Sequence, residues 1–345
     1  MKNLRKFLAI GICLCVVCVA LVSCGSIDTS KRILRVAHSQ PTSHPEHAAM
    51  EQFEKYVEDR LGDKYDIQLF PNELLGSSQH IIELCQTGAI DFIICSAANR
   101  DSFSNYYDLF SIRYLFNCNE AYKETMSDYD FMRDNLYTTS DNLGFRAVTW
   151  FDAGSRNFYA DFPINSPSDL KGKKIRCQQN PGSVGVVEAF GAAPVAMSFG
   201  EVYTAIQQNV IDGAENNELA LTVNKHGEVA HYFSYTEHQY IPDFLIANVN
   251  FLDGLEPEER EIFAQATELA NQYELSAYDK ATEDAINTAK NELGDTFIQV
   301  DKKPFIEAAS KLKEQMIEEN PYIHTLYERI QSINAKYENS QGGQQ

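Results

Sequence analysis

Phe190-Gly-Ala-Ala-Pro-Val-Ala-Met-Ser-Phe-Gly-Glu-Val-Tyr-Thr-Ala-Ile-Gln-Gln208 sets the fold class, together with Asp169-Leu-Lys-Gly-Lys-Lys-Ile-Arg176 before it and Ile211-Asp-Gly-Ala-Glu-Asn216 after it. Ser166-Pro167-Ser168-Asp169 reads as a capped helical turn. Lys174 to Gln178 reads as a strand, Val184 to Phe190 as a short helix and Ala193 to Met197 as a second strand. Ser198-Phe199-Gly200-Glu201 is a capping box, with a serine at the N-cap and a glutamate three residues on. The helix behind it puts Val202, Ile206 and Val210 on one face, and Gly213-Ala214-Glu215 returns as a strand. Strand and helix in strict alternation predict an α/β unit with a mostly parallel sheet.

Working outward, the same alternation starts at Arg32. Ile33 to Ala37 is a short apolar strand. Ser43-His44-Pro45 opens a helix with proline in its first turn, and Ala49, Phe53, Val57 and Leu61 line one face. Tyr65, Ile67 and Leu69 alternate as a strand, Ser77 to Thr87 is a helix, and Ala89 to Cys95 is an apolar strand. A second unit begins near Trp150. Phe244 to Phe251 reads as a strand of the first unit, reached when the chain crosses back. Pro257 opens a helical pattern that runs to about Leu293, with a break near Leu275 as the alternative. Thr296 to Val300 is a short strand, and helices start near Pro304 and Pro321. These readings divide the chain into residues 32–152 plus 242–280 and residues 153–241 plus 281–337, with 338–345 as a frayed polar tail.

The N-terminus carries a targeting pattern. Lys2, Arg5 and Lys6 precede an apolar stretch from Phe7 to Val22, too short to span a bilayer. Leu21-Val22-Ser23-Cys24 resembles the lipobox of bacterial lipoproteins. That resemblance implies cleavage after residue 23, acylation of Cys24, membrane anchoring by lipid and a tether over residues 24–31. The roughly 320 residues that remain suffice for two domains with real cores. The expected location is extracytoplasmic, on the cell membrane.

Charge and motifs exclude several functions. The chain has 29 basic and 49 acidic residues, a formal charge of −20, and loss of the leader removes three of the cations. Such a surface lacks the basic patches that nucleic acid requires. Cys85, Cys95, Cys118 and Cys177 have no metal-ligand spacing, although one disulfide among them is possible. No G-x-G-x-x-G, Walker loop or G-x-S-x-G is present. His226 and His231 are one residue too far apart for H-E-x-x-H, which places them on different faces of a helix. His44 and His47 read as a solvated pair. No metal and no cofactor are expected.

Between Asp152 and Asn217 the acidic chain concentrates Arg156, Arg176, Gln178, Gln179, Asn180, Asn216 and Asn217. Arginine binds a carboxylate with a planar fork, and amides both donate to and accept from hydroxyls. At strand ends these groups would face a cleft. Lys171, Lys173 and Lys174 read as a solvated turn. For Arg176 the alternatives are a ligand contact and a structural ion pair.

The three segments quoted first resemble the hallmark of the substrate-binding proteins of tripartite ATP-independent periplasmic (TRAP) transporters. Phe70-Pro-Asn-Glu-Leu-Leu-Gly76 and Gln86-Thr-Gly-Ala-Ile-Asp91 resemble their first domain. The likeness runs from about Leu34 to at least Phe251. It implies a two-domain, type II periplasmic-binding-protein-like fold with an interdomain cleft and a long connecting helix. It also implies a non-enzymatic receptor that closes on an organic acid and delivers it to integral membrane permease subunits. Arg176 matches the family's carboxylate-binding arginine, Arg156 a second arginine, Asn216 the asparagine of Q-E-N and Phe199 the aromatic that packs on the ligand. The chain departs at Ala214, where many members have glutamine. Ser96 and Ala97 stand where sialic-acid binders place an acidic residue.

Asp152-Ala-Gly-Ser-Arg-Asn-Phe-Tyr159, Asp212-Gly-Ala-Glu-Asn-Asn217 and Glu237-His-Gln-Tyr-Ile-Pro-Asp243 resemble the hexuronate-binding branch. That branch implies a sugar acid such as glucuronate or galacturonate, with its carboxylate on Arg176 and its hydroxyls on Gln178, Asn216, Asn217 and His238, while His38 and Ser96 line the other side. A C4-dicarboxylate is the alternative cargo, and a surface lipoprotein hydrolase the alternative of another class.

Overall fold

Residues 31–341 are described by a computed structural model, with side chains to Glu338. The leader, Cys24, nearly all of the tether and the last residues of the tail lie outside the described residues.

The first unit runs β1 (Arg32–Ala37), α1 (Pro45–Leu61), β2 (Tyr65–Phe70), α2 (Ser78–Gln86), β3 (Phe92–Ser96), α3 (Ala97–Asp101), α4 (Asn119–Met126), α5 (Tyr129–Asn135) and β4 (Phe145–Phe151). The chain then crosses to β5 (Ser155–Ala160), β6 (Lys174–Cys177), α6 (Pro181–Ala189), β7 (Ala193–Ala196), α7 (Val202–Gln207), β8 (Gly213–Asn216), α8 (Leu219–Thr222) and β9 (Tyr232–Tyr240). It crosses back to β10 (Asp243–Asn248), α9 (Val249–Asp253) and α10 (Pro257–Thr288), and ends with β11 (Thr296–Gln299), α11 (Lys303–Glu319) and α12 (His324–Gln341). Short 3₁₀ turns join several of these. Two mixed sheets result, ordered β2-β1-β3-β10-β4 and β11-β9-β5-β8-β6-β7.

Both sheets are less parallel than the sequence pattern predicts. β1 pairs parallel with β2 and β3, but β10 lies antiparallel between β3 and β4. It enters from the second unit, so its direction follows from the crossing and not from a local βαβ turn. Alternate residues of each strand feed opposite cores. Leu34, Phe92, Ile94 and Leu245 pack with Phe53, Val57 and Phe263 on one face of the first sheet. Ile93, Cys95, Phe244 and Ile246 pack with Ile82 and Tyr107 on the other. Burial on both faces explains why these strands read as continuous apolar runs.

Four expectations are corrected. β10 stops at Asn248, whose side chain caps α9 by accepting from the Phe251 N–H at 3.0 Å, so Phe251 is helical. Val210 lies past the end of α7 and is exposed. The long helix expected from Pro257 is borne out, since α10 is unbroken at Leu275 over 32 residues. It contains no glycine and no proline after its first position, and spans roughly 48 Å at 1.5 Å per residue. α12 packs on α4, and its Ile323-side residues Leu326 and Ile330 join the first sheet's core, so the C-terminal helix belongs with the first unit and not the second. It also continues through residues expected as a frayed tail. Cys85, Cys95, Cys118 and Cys177 are all free thiols.

The crossing at Asp152–Gly154 is fixed by α10. Buried Glu274 accepts the Asp152 N–H at 2.9 Å. Gly154 has φ +60°, and a Cβ there would stand 2.8 Å from the Tyr278 hydroxyl. A side chain would therefore meet both backbone strain and a packed neighbour. Among the described residues no helix is long and apolar enough to cross a membrane.

Candidate functional site

The two sheets turn the same kind of edge toward each other. β3 ends at Ser96 and β10 begins at Asp243 in the first unit, and the two residues are register partners. In the second unit β5 begins beside Arg156, β6 ends just past Arg176, and β8 ends at Asn216. Their side chains meet in a cleft of about 630 Å³ including its open mouth.

Arg156 and Arg176 both line this cleft, and their partners differ. The Arg156 fork grips Glu215. Its Nη2 donates to Oε1 at 2.8 Å and to the Glu215 carbonyl at 2.6 Å, and its Nε donates to Oε2. Its Nη1 donates to Asn216 Oδ1 at 3.2 Å. Burial opposes the charge of Arg156, but Glu215 outweighs that effect and raises its pKa. Burial likewise works against the Glu215 carboxylate, but Arg156 and His238 hold its pKa well below the usual range. Arg156, expected as the second, assisting arginine, lines the cleft with its fork already engaged by a protein carboxylate.

Arg176 has no carboxylate partner among the described residues. Its Nε and Nη2 share the Met197 carbonyl at 3.2 and 2.9 Å. Burial lowers its pKa, with the nearby Glu215 charge acting in the opposite sense, but a guanidinium stays charged at neutral pH. The structural ion pair left open by the sequence is therefore absent. Phe199 lies 5.6 Å from the guanidinium carbon and is only part-buried, so its face adjoins the same space.

Gln178 and Ser96 also line the cleft, and the Gln178 Oε1 is buried without a partner. Asn216 commits its Oδ1 to Arg156 and to the Asn217 N–H at 2.9 Å, which leaves its NH₂ group for the cleft. Asn217 borders the cleft but works on the backbone: it donates to the Ala153 carbonyl at 2.9 Å and accepts the Leu219 N–H at 3.1 Å.

Two histidines are not where the sequence reading put them. His238 is 1 % exposed beneath the cleft, stacked on Phe158 at 4.8 Å, with Nδ1 2.8 Å from the Thr236 hydroxyl and Nε2 3.5 Å from Glu215. Burial pushes its pKa down to about 4, against the pull of Glu215. His38 is buried with Nε2 3.0 Å from His47 Nδ1, and burial plus that neighbour push its pKa down to about 3. Neither lines the cleft. His44 does, and neither it nor His47 is solvated as expected. His226 bonds Tyr159 and His231 bonds Asp295, so the near-zinc motif is two unrelated core and surface contacts.

Sequence reasoning missed Glu46 and Asp243, which line the first unit's wall. A helix start directly after β1 was the available signal for Glu46, since α/β sheets bind ligands at that end. Three hydrogen bonds span the walls. Glu73 Oε2 accepts the Gly200 N–H at 3.3 Å, Gln79 donates to the Gln179 carbonyl at 2.6 Å, and Asn224 donates to Gln40 at 3.3 Å. These bonds hold the two walls near each other beside the cleft's mouth.

Residues 36–320 match the family of bacterial extracellular solute-binding proteins, family 7. The chain belongs to this family. The receptor is similar to a TRAP periplasmic solute-binding protein from Anaerococcus prevotii solved with bound D-glucuronate. The two are 44% identical with a TM-score of 0.87, over 89% of this chain and 99% of that one. A second such protein, from a Sulfitobacter species with bound β-D-galacturonate, is 28% identical with a TM-score of 0.83, over 87% and 100% of the two chains. The uncharacterised protein YiiZ of Salmonella typhimurium is 38% identical over 87% of this chain and 91% of its own. The receptor is thus an extracytoplasmic binding protein of the TRAP class with a two-domain fold, and it is not an enzyme.

Proposed function

We propose that the receptor binds a hexuronate such as glucuronate or galacturonate, with the carboxylate on Arg176. The observation that carries this reading is a buried arginine without a carboxylate partner, facing a cleft walled by amides and hydroxyls. Phe199 would cover one face of the sugar ring, and Gln178 and the Asn216 NH₂ would read hydroxyls. Arg156 would assist from behind, by fixing Asn216 and adding positive potential. Asn217, His238 and His38 hold this wall and its neighbour in place. The uronates held by the two solved relatives support the same cargo class.

The wider proposal is transport. The receptor, anchored by lipid on Cys24, would close on its solute and hand it to the integral membrane subunits of a TRAP permease. Residues 152–154 and 241–242 are the short crossings about which the two units would hinge.

A thermal-shift screen of organic and sugar acids tests the cargo. Free ligand at 100 times its Kd adds about 2.7 kcal/mol of stability. Glucuronate or galacturonate is expected to raise the melting temperature, with succinate and malate inert. A shift with the dicarboxylates alone would overturn the uronate reading.

A further inference from the structure

The wall opposite Arg176 carries carboxyl groups and no fixed cation. Among the described residues of the first unit that line the cleft, none is lysine or arginine. Glu46, in the first turn of α1, is 1 % exposed, and its Oε1 has no hydrogen-bond partner although it borders the cleft. Asp243, at the start of β10, is only part-buried and faces the same space beside Ser96. Burial and mutual proximity raise the pKa of Glu46 far above the usual carboxylate range, and burial raises that of Asp243. Buried Glu274 adds a further negative neighbour to Glu46. Two carboxyls lining one wall tend to share a proton rather than ionise together, although the Arg156 charge favours the ionised form of Asp243. The pair then presents one hydroxyl donor and several acceptor oxygens, which suits an alcohol and repels an anion.

We propose that Glu46 and Asp243, with Ser96, form a second subsite that holds the hydroxyl end of the solute and rejects a second carboxylate there. The cleft is polar end to end: a cation on one wall takes the single carboxylate, and a carboxyl pair on the other selects sugars over diacids. The inference rests on the sugar-acid reading and specifies its selectivity.

Calorimetric titration of the purified protein with D-glucuronate and with D-glucarate, which carries carboxylates at both ends, tests it. The wild type should prefer glucuronate by about a hundredfold or more, since juxtaposed like charges cost several kcal/mol. Asp243→Asn and Glu46→Gln should each weaken glucuronate and shrink that ratio about tenfold or more. Circular dichroism checks folding. If Glu46→Gln does not fold, Asp243→Asn, at a part-exposed strand end, decides. A wild type that binds both acids equally, or a folded Asp243→Asn with an unchanged ratio, overturns the subsite alone. A wild type that binds no uronate overturns the cargo reading, and the subsite with it.

Discussion

Arg156 and Arg176 begin alike and end with different work. They lie in the same sheet, on strands that flank β8, and are 5 % and 4 % exposed. Arg156 is saturated by Glu215 and Asn216, whereas Arg176 meets one backbone carbonyl. Burying a charge is costly unless a counter-charge with good geometry accompanies it. At Arg156 the chain supplies that counter-charge itself, and the pair is part of the fold. At Arg176 the chain supplies only a carbonyl, which is why the proposed partner is the solute's carboxylate.

The largest effect on stability is expected at the partner of Arg156. Glu215→Ala leaves a buried guanidinium without its carboxylate, and removing one member of such a pair costs about 3–5 kcal/mol. Urea denaturation of the ligand-free protein should show that loss. An unchanged midpoint would mean that Arg156 is as free as Arg176.

His226 sharpens the comparison, because it lies behind Arg176 and makes a T-shaped contact with Phe199 at 5.4 Å. Burial first, and the Arg176 charge second, push its pKa down to about 3. Between that value and about 6.5, the unfolded histidine holds a proton that the folded one does not, so stability falls as pH drops through this window. From pH 6.5 to 5 one such group removes about 2 kcal/mol. A His226→Gln variant should lose correspondingly less over that interval, measured by denaturation at each pH. An identical pH slope would contradict the assignment of a neutral, buried imidazole. The smallest expected effect is at Glu73, which reaches across the cleft to the helix start behind Phe199. One part-exposed hydrogen bond contributes about 0.5–1.5 kcal/mol. Glu73→Ala should therefore bind solute about two- to tenfold more weakly. Equal affinity would show that closure does not depend on this contact.

What the sequence displayed was local. The alternation from Asp169 to Asn216 could be read because Ser166 with Asp169 and Ser198 with Glu201 form capping boxes within four residues of chain. α10 could be read because nothing in it interrupts a helix. Which sheet a segment joins is a long-range property, so β10's direction and α12's packing on α4 left no local trace. The site divides in the same way. Arg176 and Phe199 lie in the quoted segments, Gln178 stands two residues past Arg176, and all three reach the cleft. Histidine's polarity at 38 and 238 signalled a need for partners but not who would provide them, and His47, Thr236 and Glu215 did. Glu46 and Asp243 carried no local signal of a shared role, and they line one wall of the cleft only because α1 and β10 belong to the same unit.

Calorimetry of Arg176→Ala against D-glucuronate tests whether this guanidinium holds the solute's carboxylate. The expected result is an affinity loss of about 3–5 kcal/mol, roughly a hundred- to several-thousand-fold, with the ligand-free melting temperature preserved, because no protein carboxylate is left unpaired. Unchanged affinity, or a loss of ligand-free stability as large as that expected for Glu215→Ala, would contradict it.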